Sequence, residues 1–448
     1  MQARTLTETR STGLYAIVGF LSIGIYVAIL TFAMGRTSFG TWWGIALAPV
    51  LLLVSVPVLR RRAARETDPR TFAILVTALI VKLLGAFIRY NVGLRDANVY
   101  SKYGADIAIN FRRGVFSTGL PDLTGTHFIR FFTGVVYTLT GTSKLAGCVV
   151  FSWMGFWGLY FFYRAFRISF PELRWRPYAY LLFFLPSLVF WPSSIGKDAW
   201  MTMTMGLATF GLARLLKGWT VGAFATAAAG LWLAFLVRPH VPALLAGAFL
   251  VALVTRKGRA ESRELAPVIK VVSIGLAAIF AITIAVKTSR SLGISTSGGL
   301  GATLTRVESR TSKGHSDFTP TLADSPIRFP IAAMTVLFRP FLFEAHNRDA
   351  AIAALESTIL LGLCLVRWRW ILSAFRSMRT EPYLVLAFSF VILFIVAFSS
   401  FANFGLLARE RTQLYPLFLV LISIPPIDRN RAGFERRLDA SVDASISA

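Results

Sequence analysis

The chain has 448 residues, 55% of them hydrophobic, with only 15% charged and a mean hydropathy of +0.62. A soluble globular fold of that composition would expose far too much apolar surface, so that class is excluded. The net charge of +25 invites a nucleic-acid reading. The basic residues cluster instead in short segments between apolar runs, as the positive-inside rule describes, and no nucleic-acid partner is expected.

Repeated apolar runs of about 17–25 residues match a bilayer core about 30 Å thick. Backbone groups in lipid must pair within their own segment, so the runs are read as helices. The expected fold is an all-α polytopic integral membrane protein with about twelve transmembrane helices. In chain order the spans fall near 13–34, 39–59, 70–88, 143–163, 177–192, 199–217, 219–237, 241–255, 267–286, 349–366, 383–400 and 413–426. Basic segments at 60–66, 164–176, 255–264, 367–379 and 428–437 are read as inside. That puts both termini in the cytoplasm and the protein in the inner (cytoplasmic) membrane.

Residues 1–426 are read as a single polytopic membrane domain, and 427–448 as a short, disordered cytoplasmic tail. The first apolar run is long and a second follows at once, so no cleavable signal peptide is expected. Cys148 and Cys364 fall within predicted spans, which argues against a disulfide framework or a thiolate metal site.

Two external loops are longer than a connector needs, at about 89–142 and 287–348. The apolar stretch HFIRFFTGVVYTLTG at the end of the first is read as a re-entrant or interfacial helix. The segment PSSIGKD is read as the external turn between the fifth and sixth spans, with Ser194 open to a membrane-impermeant reagent. Its GKD fragment is not a phosphate loop: Asp198 stands where Ser or Thr belongs, and the leading Gly is missing. All four histidines, His127, His240, His315 and His346, fall on the same predicted side. So do the other polar clusters, a pattern that points to a cavity at the outer membrane face.

In the first loop Asp96, Tyr100, Tyr103, Asp106 and Asn110 share one face if the segment is helical. A carboxylate held at the membrane by tyrosines would serve as a general base toward a hydroxyl. A solvated helix whose Asp caps a turn accounts for the same residues. Ser193 or Ser194 and Asp198 read as capping residues of the sixth span. Lys197 does not, because a helix N-terminus favours an anion, and it is read as a phosphate contact. Arg238 and His240 end the seventh span, where snorkelling is the competing account. Arg339 and Glu344 flank FRPFLFEA, and Arg348 stands four residues after Glu344, so a plain ion pair between those two is an alternative. Glu356 falls within an apolar span, where a carboxylate is costly unless paired. Arg409 and Arg411 precede Tyr415-Pro416 and the last span, against the positive-inside bias, which favours a role in binding an anion. No strong metal motif appears. No cofactor is predicted, and a divalent metal would have to be held by carboxylates.

An outer cavity has access to neither ATP nor nucleotide sugars, so group transfer there needs an activated donor that crosses the membrane. A polyprenyl-phosphate-linked sugar is the general solution. An acidic residue in a long external loop, basic residues from later loops and an Arg-containing segment before a Tyr-Pro span resemble the GT-C glycosyltransferases across about 70–426. That resemblance implies a lipid-linked sugar donor, a polysaccharide or lipid acceptor, and Asp96 as catalytic base. RDANVY carries one acidic residue where that family commonly has a pair. His346-Asn347 followed by DAAIAALE is similar to the late-loop segment of O-antigen polymerases and ligases, which implies chemistry at His346 instead. A transporter or flippase for an anionic lipid-linked glycan would also gather arginines around a cavity. Transporters tend to place polar groups near mid-membrane and to show repeated halves, and the sequence shows neither.

Overall fold

The computed structural model describes residues 21–92, 95–256, 318–345 and 348–426. The predicted span at 267–286, the Gly/Ser/Thr-rich stretch after it, His315, His346 and the tail at 427–448 lie outside the described residues, as does the start of the first predicted span. Among the described residues the regular structure is helical, with no strand. The helices are α1 (Leu21–Arg36), α2 (Phe39–Ala63), α3 (Thr71–Val92), α4 (Arg95–Arg112), α5 (Gly125–Thr140), α6 (Lys144–Ser169), α7 (Arg176–Phe184) and α8 (Pro186–Phe190). They continue with α9 (Lys197–Lys217), α10 (Val221–Phe235), α11 (His240–Thr255), α12 (Phe329–Phe338), α13 (Arg348–Val366), α14 (Trp368–Ser377), α15 (Pro382–Phe398) and α16 (Phe404–Leu421).

Three helices, α2, α3 and α6, are long and apolar enough to cross a membrane, and the bent pair α13–α14 adds a fourth if taken as one span. These apolar helices point to a membrane protein. The helices α1, α10, α11 and α15 are apolar but shorter. At 1.5 Å rise per residue, 15 to 17 residues fall short of a core about 30 Å thick.

The chain divides into two compact units. One contains the residues up to Met154 together with Ser193–Gly196; the other contains Gly155–Pro192 and the chain from Lys197 onward. In the first unit α4 and α5 form a tight hairpin. Gly104 of α4 faces Thr133, and Gly134 of α5 faces Ile107, so closely that a β-carbon at either glycine would clash. Ser101 Oγ and Tyr137 Oη lie 2.7 Å apart, and the Arg130 guanidinium lies 3.9 Å from the Tyr103 ring centroid. Ahead of α5, Asp122 accepts from the Thr124 N–H and hydroxyl and pairs with His127 at 3.1 Å. The Thr124 N–H, then His127, hold the Asp122 carboxyl below the ordinary range.

In the second unit α9 is wedged between α6 and α10 through small residues. A methyl at Gly206 would run into the Gly158 carbonyl of α6, and one at Gly211 or Gly230 would meet the backbone of α10 or α9. Helix α16 packs against α7, α8, α9, α12, α13, α14 and α15, and from Leu407 to Leu421 all of its residues but Arg409 are buried. Helix α16, which carries Arg409, Glu410 and Arg411, is therefore enclosed by more apolar helices.

Two expectations need correction. The predicted span 177–192 is broken: Leu185 is extended (φ −62°, ψ 124°) because Pro186 disfavours helical geometry in the residue before it. The result is α7, the short α8 and a 3₁₀ turn at Trp191–Ser193. The turn expected to be open at Ser194 is buried. Ser193 and Ile195 are almost inaccessible, and Ser152 Oγ donates to Ser193 Oγ at 3.0 Å.

Two outcomes test this arrangement. Gly206→Leu should lower stability by at least the 1–3 kcal/mol typical of overpacking, read as a fall in melting temperature. Gly362→Leu, in helix α13 where no atom lies within 4 Å, should not lower it. For topology, Ser117 and Ala64 are exposed whereas Cys148 and Cys364 are buried. Ser117→Cys should label with an impermeant maleimide in intact cells, and Ala64→Cys only after permeabilisation; the reverse result would invert the orientation.

Candidate functional site

The second unit buries a line of charges built from three places far apart in sequence. Asp198 lies in the first turn of α9, where a carboxylate is favoured by the helix dipole. Arg238 sits in the turn between α10 and α11; the Arg238 N–H still donates to the Ala234 carbonyl at 3.0 Å, and Pro239 stiffens the exit. Arg409 and Glu410 project from α16, whose start is capped by the Asn403 side chain accepting from Leu406 N–H at 3.1 Å.

The contacts run in sequence. Arg409 Nε donates to Asp198 Oδ2. Arg238 Nη1 lies 3.2 Å from Asp198 Oδ1, and Arg238 Nη2 lies 2.8 Å from Glu410 Oε1. Gln413 Nε2 then donates to Glu410 Oε2 at 2.7 Å. Two cations and two carboxylates cancel, which is why such a group is tolerated inside apolar helices. The cancellation is incomplete at the level of hydrogen bonds. The Arg238 Nη1–Asp198 Oδ1 approach lacks hydrogen-bond alignment, so neither atom has a hydrogen-bond partner among the described residues. A buried polar atom left that way costs about 1–3 kcal/mol.

The line has one open end. Arg238 and Glu410 side chains are 10% and 9% exposed and Asp198 6%, against 17% for Arg409. Lys197, next to Asp198, is half-buried. His240 begins α11 within the electrostatic reach of Arg238 and Lys197, with its ring 5.8 Å from that of Phe398.

Arg411 faces elsewhere. It is 2% exposed, and its Nη1 donates to the Leu337 carbonyl at 2.9 Å and to Ser357 Oγ at 3.3 Å. The buried Glu356 lies on the same side, within electrostatic reach of Arg411. Its Oε2 accepts from the Ser187 N–H at 2.6 Å, a donor in the first turn of α8 that the break at Pro186 leaves without a helical partner. Arg339 and Glu344 bind each other: Arg339 Nε donates to Glu344 Oε1 and Oε2 at 2.9 and 3.1 Å, while the guanidinium lies 4.5 Å from the Phe318 ring centroid and 5.1 Å from that of Phe404. Glu344 also accepts from Phe341 N–H at 2.9 Å, and the Arg348 side chain of the alternative ion pair lies outside those described.

Asp96, Tyr100 and Tyr103 belong to the first unit, where their segment is indeed helical. Asp96 is exposed in the first turn of α4, Tyr100 is buried and Tyr103 is 43% exposed. The buried stripe of α4 is Ala97, Tyr100, Gly104, Ile107 and Ala108, which leaves Asp96 and Asp106 on the solvent side. His346 lies outside the described residues.

Of the sequence-derived candidates, the structure brings together Lys197, Asp198, Arg238, His240 and Arg409. It adds Glu410 and Gln413, which sequence reasoning missed. The signal was present: a carboxylate between two arginines in an otherwise apolar helix needs a cation, and Arg238 was already singled out. Among the described residues no group of three His, Cys, Asp or Glu is placed to hold a metal ion. Comparison with protein-family models, curated proteins and solved structures finds no match to this chain.

Arg238→Met would leave Asp198 and Glu410 without their shared cation. It should cost about 3–5 kcal/mol, the range for breaking a buried pair. Thermal denaturation in detergent should show that loss, and Arg238→Met/Glu410→Gln, which leaves Asp198 paired with Arg409, should recover most of it.

Proposed function

We propose that the protein is a membrane-embedded enzyme of twelve spans that transfers a sugar from a polyprenyl-phosphate-linked donor to an envelope polysaccharide or lipid acceptor. The carrying observation is the unsatisfied pair at the centre of the charge line. Among the described residues Arg238 Nη1 is a buried donor without a hydrogen-bond acceptor, and Asp198 Oδ1 beside it is a buried acceptor without a hydrogen-bond donor. A glycosyl phosphate supplies both complements, with a phosphate oxygen for the guanidinium and a sugar hydroxyl for the carboxylate. Arg409 and Lys197 at the open end give the phosphate its first cationic contacts, and His240 borders them. The resemblance to the GT-C enzymes makes Asp96, exposed at the start of α4 in the first unit, the base proposed for the acceptor hydroxyl. In the O-antigen-type polymerase or ligase variant of this reading, His346 takes that role.

One observation favours a second reading, a flippase or transporter for an anionic lipid-linked glycan. The broken run α7–α8–3₁₀ turn, with a buried charge network in the same unit, is the kind of discontinuity found at transporter binding sites. The two readings differ in whether the glycosyl–phosphate bond breaks.

Purified protein in vesicles with radiolabelled polyprenyl-phosphate sugar and acceptor separates them. Label should appear in the acceptor, Asp96→Asn should lower turnover by about 10²–10⁴-fold, and donor affinity should be retained. Arg409→Gln or Lys197→Met should weaken donor binding by about 1.5–3 kcal/mol. Lipid crossing the bilayer with its sugar still attached would transfer the assignment to transport.

A further inference from the structure

Helix α14 carries a second, separate feature. After the apolar helix α13 the chain bends by 68° at Arg367 and turns into the ten-residue α14. Its buried side is small, Ser373 and Ala374, and is tied down by Ser373 Oγ donating to the Pro425 carbonyl at 2.8 Å. Arg367 fixes the bend, with its Nη1 donating to the Ile422 carbonyl at 3.3 Å and its guanidinium 4.7 Å from the Trp370 ring centroid.

The opposite side pairs two kinds of exposure. Trp368, Leu372 and Phe375 recur at i, i+4 and i+7, so they form one stripe, and they are 56%, 38% and 44% exposed. Arg369 and Arg376 form the adjoining stripe, Arg379 follows, and all three are exposed. The segment 367–379 contains four arginines and no acidic residue. The acid nearest in sequence, Glu381, is paired with Lys217 at 3.5 Å. Among the described residues Phe375, Arg376 and Arg379 line a cleft of about 510 Å³.

An apolar stripe beside a basic one, at a sharp bend after an apolar helix, matches a helix lying in the plane of the membrane–water interface. A purely apolar surface would suit any lipid or a second copy of this chain. The arginines do not, because three cations crowded on and just after one short helix, with no acidic partner among the described residues, repel a like-charged copy and attract anions. We infer that α14 is an anionic-phospholipid site, with Trp368, Leu372 and Phe375 seated among the acyl chains and Arg376 and Arg379 holding the headgroup phosphate in the cleft. The site is independent of the charge line on α9 and α16 and of the reaction proposed there.

The test uses the full-length protein in vesicles of phosphatidylcholine with or without phosphatidylglycerol. Mass spectrometry of the detergent-extracted protein should show phosphatidylglycerol retained over phosphatidylcholine. Each of Arg369→Gln, Arg376→Gln and Arg379→Gln should reduce that preference about fivefold, and the triple variant about a hundredfold. An independent readout is a fluorophore on Leu372→Cys, which brominated acyl chains should quench and which Trp368→Ser/Phe375→Ser should release. An undiminished preference in the triple variant would overturn the proposal. So would an unquenched label, or a label protected only by dimerisation.

Discussion

The Arg238 side chain sits between two carboxylates, Asp198 and Glu410, and most of the second unit is arranged around that bridge. Three buried ions are costly one at a time, and only their mutual placement makes them tolerable. Placement therefore has to be secured by everything that holds α9, the α10–α11 turn and α16. The glycine contacts of α9 with α6 and α10 serve that end, since α9 can approach its neighbours only at backbone distance. The encirclement of α16 serves it too: a helix carrying three consecutive charged residues is kept away from lipid by seven other helices among those described.

The same logic separates residues that look alike on paper. Arg409 and Arg411 are two positions apart, yet the helical turn sends one toward Asp198 and the other toward the Leu337 carbonyl and Ser357. Arg411 and Glu356, together with the N–H group released at Ser187, form a tie among α8, α12, α13 and α16. Arg339 and Glu344 close on each other against an aromatic stack, with Phe318 and Phe404 centroids 4.2 Å apart. These groups hold the frame, while Lys197 and Arg409 remain the partly accessible cations.

Much of this was legible in the sequence because apolar length is a strong signal. The predicted spans at 39–59, 70–88 and 143–163 each correspond to a helix, and Glu356 announced its need for a partner by standing in an apolar run. The break at Leu185–Pro186 was readable from the proline but was overridden by the surrounding hydrophobicity. The Ser193–Gly196 turn was misread because polar composition suggests exposure, whereas here buried hydrogen bonds satisfy it. Glu410 was passed over between its arginines because the ion that needs it comes from a distant turn, and such pairing is invisible to local spacing. Helix α14 was read as a basic connector, although Trp368, Leu372 and Phe375 already carried the helical period.

The central claim is that the charge line receives the phosphate of a lipid-linked sugar. A polyprenyl phosphate carrying a photoreactive group beside the phosphate, activated on the protein in vesicles and mapped by peptide sequencing, tests it most directly. Crosslinks are expected around Lys197 and Asp198 of α9 and around Arg409 and Glu410 of α16, competed by unlabelled polyprenyl phosphate. Competable crosslinks confined to α4 and α5, with α9 and α16 unmodified, would contradict the account.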